Sequence, residues 1–220
     1  MKKEIAKIIE CRKGKLINIF FDLFLSPAQQ RREFAEYPNM ADYETLFQVL
    51  METAPIQSEK KSKFCTIVEK NIDNVSSELF KLRPLDGFKI LEIGGYFSIN
   101  LGKLGAISEK MDAAVDENEY ITLQNYKNKL HNKQYDITLS KEVFDRYSEI
   151  ENGKKYVVAC QELLTVFSRI TRKRGISIHE GRMDEALSKT FLKKIGFTIE
   201  SIFLNNWCKP PFKIYVFRKK

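Results

Sequence analysis

The chain has 220 residues and a formal net charge of +8, from 37 Lys and Arg against 29 Asp and Glu. This length accommodates one domain with an additional smaller segment. An apolar content of 43%, without long polar tracts, argues against a disordered chain. The four cysteines form no CxxC pair, which excludes the usual zinc spacings and predicts reduced thiols in a cytoplasmic protein: Cys11, Cys65, Cys160 and Cys208.

The first 85 residues carry helical patterns. The window 16–25 is the most apolar, but it is too short to cross a bilayer and contains Asn18 and Asp22. No small-residue cleavage site follows it, so we expect a core helix there, with neither a signal peptide nor a membrane anchor. Ser26-Pro27 is typical of a helix start, and apolar residues at helical spacing predict helices at 42–52 and 64–82.

The run 88–96 is the most informative part of the sequence. An apolar strand containing Glu92 leads into the pair Gly94-Gly95, and a helix-like stretch follows at 98–105. A strand, a glycine turn and a helix in this order form the nucleoside- or phosphate-binding corner of a doubly wound sheet. Because an acid precedes the glycines and the pattern is not GxGxxG, the turn favours a ligand with hydroxyls and a cation.

Several motifs in order along the chain resemble those of the class I SAM-dependent methyltransferases. Leu91-Glu92-Ile93-Gly94 is similar to the opening of their first motif, and Leu101 and Gly105 fall where their first helix closes. Further stretches resemble the fourth strand, the step from a helix into the fifth strand, and the entry to the sixth strand: 135–144, 163–178 and 192–197. The resemblance covers residues 86–220.

This resemblance implies an α/β fold, a Rossmann-like methyltransferase sheet with an antiparallel last strand, preceded by an N-terminal helical region. We therefore divide the chain into a helical cap, 1–85, and a methyltransferase-like domain, 86–220. The cap is expected over the carboxyl edge of the sheet, with a packing or dimerisation element as the alternative; the oligomeric state is left open. Strands are expected near 88–93, 106–111, 135–139, 175–179, 197–204 and 211–218.

The resemblance also implies S-adenosylmethionine as cofactor and assigns its site. The cofactor-binding candidates are Glu92, Gly94, Gly95, Asp112 and Ser140, of which Asp112 would hold the ribose. His179, at the end of the fifth strand, is the candidate general base, and Asp145 and Arg146 are further candidates facing the pocket. No metal site is predicted. His131 is expected at the surface and Trp207 at the hairpin between the last strands.

Two functions from different classes follow. The first is a SAM-dependent methyltransferase acting on a small-molecule or modified metabolite, with the N-terminal helices as a lid. The second is a catalytically degenerate methyltransferase-like domain that serves as a binding or scaffolding subunit. Tyr96 and Ser98 favour the second, because they stand where the family has further glycines close to the ligand. A dehydrogenase is a poor fit, because a nicotinamide site needs the helix N-terminus free for pyrophosphate.

The net positive charge of the chain bears on the kind of partner that it could bind. Lys and Arg cluster along the chain at 2–3, 12–15, 60–63, 169–174 and 218–220. Such charge favours RNA or another anionic partner, but acids are interleaved and few aromatic residues accompany the bases, so a solvated surface is the main expectation.

Overall fold

The computed structural model describes residues 41–70, 75–94, 98–111, 127–141, 143–144, 156–205 and 212–220. Several sequence predictions lie outside these described residues, namely the helix at 16–25, the helix start at Ser26 and the hairpin residue Trp207. The same holds for the cofactor candidates Gly95 and Asp112.

Helices and strands alternate along most of the described chain. The helices are α1 (Ala41–Thr53), α2 (Ser58–Lys70), α3 (Val75–Leu82), α4 (Ser98–Lys103), α5 (Tyr156–Ile170) and α6 (Lys189–Ile195). The strands are β1 (Lys89–Ile93), β2 (Ile107–Met111), β3 (Tyr135–Ser140), β4 (Thr171–Gly181), β5 (Phe197–Asn205) and β6 (Phe212–Lys219). A short 3₁₀ turn, Asp184–Ala186, joins β4 to the segment before α6.

The strands form one sheet in the order β2-β1-β3-β4-β6-β5. β1 runs parallel to both β2 and β3, and β3 runs parallel to β4. β6 is antiparallel to β4 and to β5, so the last strand is inserted against the direction of the others. The predicted fold class, a Rossmann-like sheet with an antiparallel last strand, is thereby confirmed.

The antiparallel last strand follows from the short connection before it. Asn205 and Phe212 face each other at the ends of β5 and β6, and only residues 206–211 join them. A parallel return needs a crossover of a dozen or more residues, whereas a hairpin needs few. β6 supplies four consecutive buried residues, 214–217, to the centre of the sheet.

Both faces of the sheet are covered by apolar side chains. One cluster joins α1, α2 and α3 to one face of the sheet, where Ile90, Ile137 and Ile176 are fully buried. The other joins α5 and α6 to the opposite face, where Leu91 and Phe217 are buried. Neighbouring residues of β1 thus pack on opposite faces, and a central strand buried on both sides reads as a nearly continuous apolar run.

The N-terminal helices differ from the prediction in one respect. The helix predicted at 42–52 is confirmed as α1, but the single helix predicted at 64–82 is wrong, since α2 and α3 occupy 58–82 as separate helices. The sequence between them includes two asparagines and an aspartate, which disfavour a helix interior. The described helices pack on a face of the sheet, where α1 contacts β4, β5 and β6, and the position of the cap over the carboxyl edge stays a prediction.

The boundary between the helical region and the sheet is tightly built. Residues 84–87 form a turn before β1, and Gly87 has φ +79°. The Leu85 amide donates to the Leu104 carbonyl, and the Gly87 amide donates to the Gly105 carbonyl. The helices share one hydrophobic cluster with the sheet, and the division of the chain at residue 86 stays a prediction. In the described part of the chain, no helix is both long and apolar enough to cross a membrane.

Candidate functional site

The carboxyl ends of β1, β3 and β4 lie side by side. Ile93 pairs with Ser140, and Ser140 pairs with His179, so the register sets the last residues of β1 and β3 in one row with His179, which lies two residues before the end of β4. β1 sits between β2 and β3, which means that the chain leaves β1 to one side and later returns on the other. Ligands of open α/β sheets bind in the crevice outside the strand ends at such a switch point.

The glycine turn begins at this switch point. Gly94 follows β1 with φ +72°, a conformation that strains residues with a side chain. Its amide donates to the Met111 carbonyl at 3.1 Å, which ties the start of the turn to the last residue of β2. Asp112, the predicted ribose ligand, is the next residue in the chain, although the structure does not describe its position.

Charged side chains are buried beside the turn. Glu92 has an exposed fraction of 1%, and alternation along β1 places it on the same face as Ile90, the face that the N-terminal helices cover. Lys141 directly follows β3, is 6% exposed, and its amide donates to the Ile93 carbonyl at 3.4 Å. Glu180 is fully buried next to His179. Two acids and one base therefore converge on the carboxyl edge.

His179, the predicted general base, lies inside the protein. Its side chain is 0% exposed, and its ring lies between Phe144 and Phe167, with centroid distances of 5.1 and 4.1 Å. Burial lowers the pKa of His179 from 6.5 to about 3, so the ring is neutral at physiological pH. Ser140 Oγ lies 2.7 Å from Nδ1 and Ser177 Oγ lies 2.6 Å from Nε2, so both ring nitrogens are engaged.

These contacts belong to a longer chain of buried polar groups between β3 and β4. Ser177 Oγ also contacts Thr138 Oγ1, and Thr138 Oγ1 lies 3.3 Å from Thr171 Oγ1. Thr171 Oγ1 donates to the Phe167 carbonyl at 2.7 Å. Buried hydroxyls that find partners in this way avoid the cost of an unpaired polar group.

The carbonyl at the end of this chain fixes its direction. A carbonyl oxygen can only accept a hydrogen bond, so the Thr171 hydroxyl donates its single proton to the Phe167 carbonyl. The Thr171 hydroxyl must therefore accept a hydrogen bond from Thr138. Thr138 then accepts from Ser177, whose own acceptor role is met by the ring N–H of His179. This places the proton on Nε2 and leaves Nδ1 to accept from Ser140. The arrangement favours a structural histidine, and the catalytic role of His179 stays a prediction.

The other candidates divide between described and undescribed positions. Glu92, Gly94 and Ser140 are brought together at one edge, and their cofactor-binding role stays a prediction. Asp145 and Arg146 lie outside the described residues, as do Gly95 and Asp112. His131 is exposed, as expected.

Sequence reasoning did not single out Lys141 as a site residue, or Thr138 and Ser177 as partners of His179. The signal for the two hydroxyl residues was present, because each stands between two apolar residues of its strand, two residues before Ser140 or His179. Among the described residues, no group of three or more His, Cys, Asp or Glu side chains could hold a metal ion.

Comparisons with known proteins give only distant structural likeness. No family model matches the sequence, and no curated protein matches it. The magnesium protoporphyrin IX methyltransferase of Synechocystis PCC 6803, solved with bound SAM, is similar over 96% of this chain and 100% of its own, at 13% identity and a TM-score of 0.43.

Two further solved structures are similar over less of the chain. The precorrin-6y C5,15-methyltransferase of Geobacter metallireducens GS-15 covers 66% of this chain and 87% of its own, at 15% identity and a TM-score of 0.40. TrmN of Thermus thermophilus covers 66% of this chain, which spans 48% of it, at 14% identity and a TM-score of 0.37. At such values the likeness identifies neither a cofactor nor a substrate for this chain.

Proposed function

We propose that this protein is a SAM-dependent methyltransferase that acts on a small-molecule or modified metabolite. The proposal is carried by the position of the glycine turn. Gly94, with its positive φ, leaves β1 at the strand-order reversal, two residues after the buried acid Glu92 and beside the end of β3 at Ser140. This is the crevice in which a doubly wound sheet binds a nucleoside-containing ligand.

The residues at this corner fit the chemistry of SAM. The ligand carries a sulfonium and an ammonium group, and a buried carboxylate such as Glu92 is a suitable counter-charge for a cation. A carboxylate at Asp112, directly after β2, would accept both ribose hydroxyls through charge-assisted hydrogen bonds. When bound, SAM supplies a methyl group on a good leaving group. The protein's share of catalysis is then mainly to position the acceptor and exclude water.

Buried charged side chains near the glycine turn support a role for the ends of β3 and β4 in positioning the methyl acceptor. Lys141 is held close to β1 through its amide, and Glu180 stands at the neighbouring strand end. We assign these two residues to the wall that orients the methyl acceptor. A proton, where the acceptor must lose one, would go to a group other than His179, because both nitrogens of that ring are engaged.

The alternative is a methyltransferase-like domain without catalysis that works as a binding or scaffolding subunit. One structural observation favours it: the best sequence candidate for a general base is fully buried, with a pKa of about 3. Tyr96 and Ser98, which stand in place of glycines, also favour the scaffolding function. The two functions differ in whether the protein binds SAM and turns it over.

Calorimetric titration and thermal shift with SAM and S-adenosylhomocysteine test the proposal. Wild type should bind both, and Asp112→Ala should weaken binding about ten- to a hundredfold while the melting temperature without ligand is unchanged. Asp86→Ala is the matched control, since Asp86 lies at the opposite edge of the sheet and pairs with Arg83. No heat and no shift with millimolar SAM would refute the methyltransferase proposal in favour of the scaffolding function.

A further inference from the structure

The start of β4 carries an excursion of basic residues. Tyr135 pairs with Thr171 and Ile137 pairs with Ile176, so residues 172–175 lie opposite the single residue Asp136. The three basic side chains of this excursion are exposed: Arg172, Lys173 and Arg174. A β-bulge normally adds one residue to a strand. This excursion places four residues opposite one, so it projects further from the sheet than a β-bulge does.

Close contacts hold the excursion in place. A Cβ on Gly175 would stand 2.7 Å from the Asp136 carbonyl oxygen, so only glycine fits there without a shift. Arg218 donates through Nη1 to the Arg174 carbonyl at 3.1 Å, and Arg172 donates to Asp136 Oδ1 at 2.9 Å. The other oxygen of Asp136 accepts from the Lys89 amide at 2.8 Å. The basic side chains are therefore presented from a fixed backbone.

A groove of about 310 Å³ opens beside the excursion, between the turn that precedes β3 and the end of α5. Its floor includes Leu130, Val166 and Ile170, and Gln134 Nε2 donates to the Arg169 carbonyl at 2.7 Å across it. The titratable side chains lining it are all basic: Lys127, His131, Lys133 and Arg169. Among the described residues, no acidic side chain and no Phe, Tyr or Trp side chain lines it.

The charges at this edge do not cancel. Three acids each hold one base: Asp136 holds Arg172, Glu200 holds Arg218, and Glu109 holds Lys133. The remaining side chains have no ion pair with a described residue: Lys127, Arg169, Lys173 and Arg174. An excess of fixed cations at one edge creates a field that attracts polyanions.

We propose that this surface binds the phosphate backbone of a double-helical nucleic acid. We name it the basic edge and define it as Lys127, Arg169, Lys173 and Arg174 around the groove. Lys and Arg neutralise phosphates and release counterions, which supplies sequence-independent affinity. Proteins that bind single strands add aromatic platforms for base stacking, and the described residues lining the groove include no Phe, Tyr or Trp. A duplex, whose bases are already stacked, needs only the cations.

The basic edge lies at the amino ends of the parallel strands, opposite the glycine turn. Lys89, Tyr135 and Thr171 begin β1, β3 and β4 there, and β6 ends there at Arg218 and Lys219. Nucleic-acid binding at this edge is therefore independent of the proposed cofactor corner, and its test needs no SAM.

Fluorescence anisotropy with labelled RNA and DNA duplexes of about 20 base pairs and one sequence tests the proposal. Wild type should bind with a Kd of about 1–100 μM near physiological salt, and log Kd should rise linearly with log salt. The double variant Lys173→Gln/Arg174→Asn should weaken binding at least tenfold and reduce the salt slope by about 1.8, since each lost phosphate contact accounts for about 0.9. Asparagine at 174 tolerates the φ of +65° found there.

The matched control is Lys63→Gln/Lys81→Gln, which removes the same net charge from exposed side chains of α2 and α3. It should leave both Kd and salt slope within about twofold of wild type, whereas a loss equal to that of the 173/174 variant would show a general charge effect and overturn the proposal. Arg169→Gln/Lys127→Gln should act like the 173/174 variant. A melting temperature within a few degrees of wild type confirms that each variant is folded.

Two further outcomes decide the matter. Binding of either duplex supports backbone contact, and any difference between the Kd values for RNA and DNA shows which duplex the surface prefers. Binding of the matching single strand at least as tightly as the duplex, or no duplex binding below about 100 μM at 0.1 M salt, overturns the proposal.

Discussion

Ser140 Oγ lies 2.7 Å from His179 Nδ1, and the register of β3 and β4 places these residues side by side. The contact joins the last residue of one parallel strand to a fully buried ring that packs against three phenylalanines. A polar pair at this depth persists because each group satisfies the other. It also fixes the orientation of the imidazole at the carboxyl edge, directly behind the candidate site.

The first prediction concerns the pH dependence of stability. The unfolded chain protonates the His179 imidazole below about pH 6.5, whereas the folded protein resists protonation until about pH 3. Protons then bind preferentially to the unfolded state, so the free energy of unfolding falls by about 1.4 kcal/mol per pH unit from pH 6.5 downwards on account of this residue. Above pH 6.5 its contribution is constant.

Urea unfolding from pH 4.5 to 7.5 measures this effect, with His179→Gln as the comparison. All other ionisable groups are common to both proteins, so the difference between the two stability curves isolates His179. Glutamine keeps hydrogen-bonding groups without a titrating ring. Parallel curves for the two proteins would show that the histidine titrates normally in the folded state.

The second prediction concerns the proton on the ring. The direction of the hydroxyl chain places it on Nε2, where Ser177 Oγ at 2.6 Å accepts it. Nitrogen-15 NMR of the imidazole should show the Nε2–H tautomer across pH 5 to 8. Ser177→Ala would leave that buried N–H without its acceptor and should cost about 1–3 kcal/mol of stability. An Nδ1–H signal would reverse the assignment of donors along the chain.

The third prediction compares two glycines near α4. Gly105 has φ +100°, and a Cβ there would stand 2.9 Å from the Asp86 Cα, so Gly105→Ala should lower stability by about 1–3 kcal/mol. Gly102 lies within α4, and a Cβ there meets only Ser108 Oγ at 3.8 Å. Gly102→Ala should therefore be neutral or stabilise by up to about 1 kcal/mol. Chemical denaturation of both variants measures the contrast, and equal effects would contradict it.

The fourth prediction concerns the C-terminal end of the chain. Lys219 Nζ donates to the Ile195 carbonyl at 2.7 Å and to Ser168 Oγ, and lies 5.4 Å from the centre of the Phe197 ring. It thus satisfies a carbonyl in the last turn of α6, a role favoured for a cation at a helix C-terminus. Lys219→Met should cost about 1 kcal/mol in thermal unfolding. A stability equal to wild type would show that solvent replaces these bonds at no cost.

Much of the fold could be predicted from the sequence because its signals are local. Short apolar runs bounded by turn residues indicated strands, and their observed bounds agree within a residue or two at most ends. The start of β4 is the exception. We predicted residue 175, but the strand begins at Thr171, directly after α5, because pairing with Tyr135 extends it beyond the basic excursion. Pairing of that kind depends on a neighbour 36 positions away, which no local pattern records.

The candidate site could be predicted only in part. Glu92, Gly94 and Ser140 were assigned through the resemblance to methyltransferase motifs. The structure places them near the ends of β1 and β3, and their cofactor role stays a prediction. The burial of His179 was not visible, since it depends on Phe144, Phe167 and Phe217 closing around the ring from three separate segments.

The sequence by itself determined the order of strands and helices, the hairpin at the end of the chain and the corner that begins at Gly94. Each of these depends on residues close together in the chain, where turn geometry, helix propensity and apolar spacing act directly. Only the tertiary structure decided that His179 is enclosed, that the described N-terminal helices cover a face of the sheet, and that the bases at 169–174 and 218–220 share one edge. Burial and charge are sums over neighbours in space, and those neighbours are set by strand pairing between distant segments.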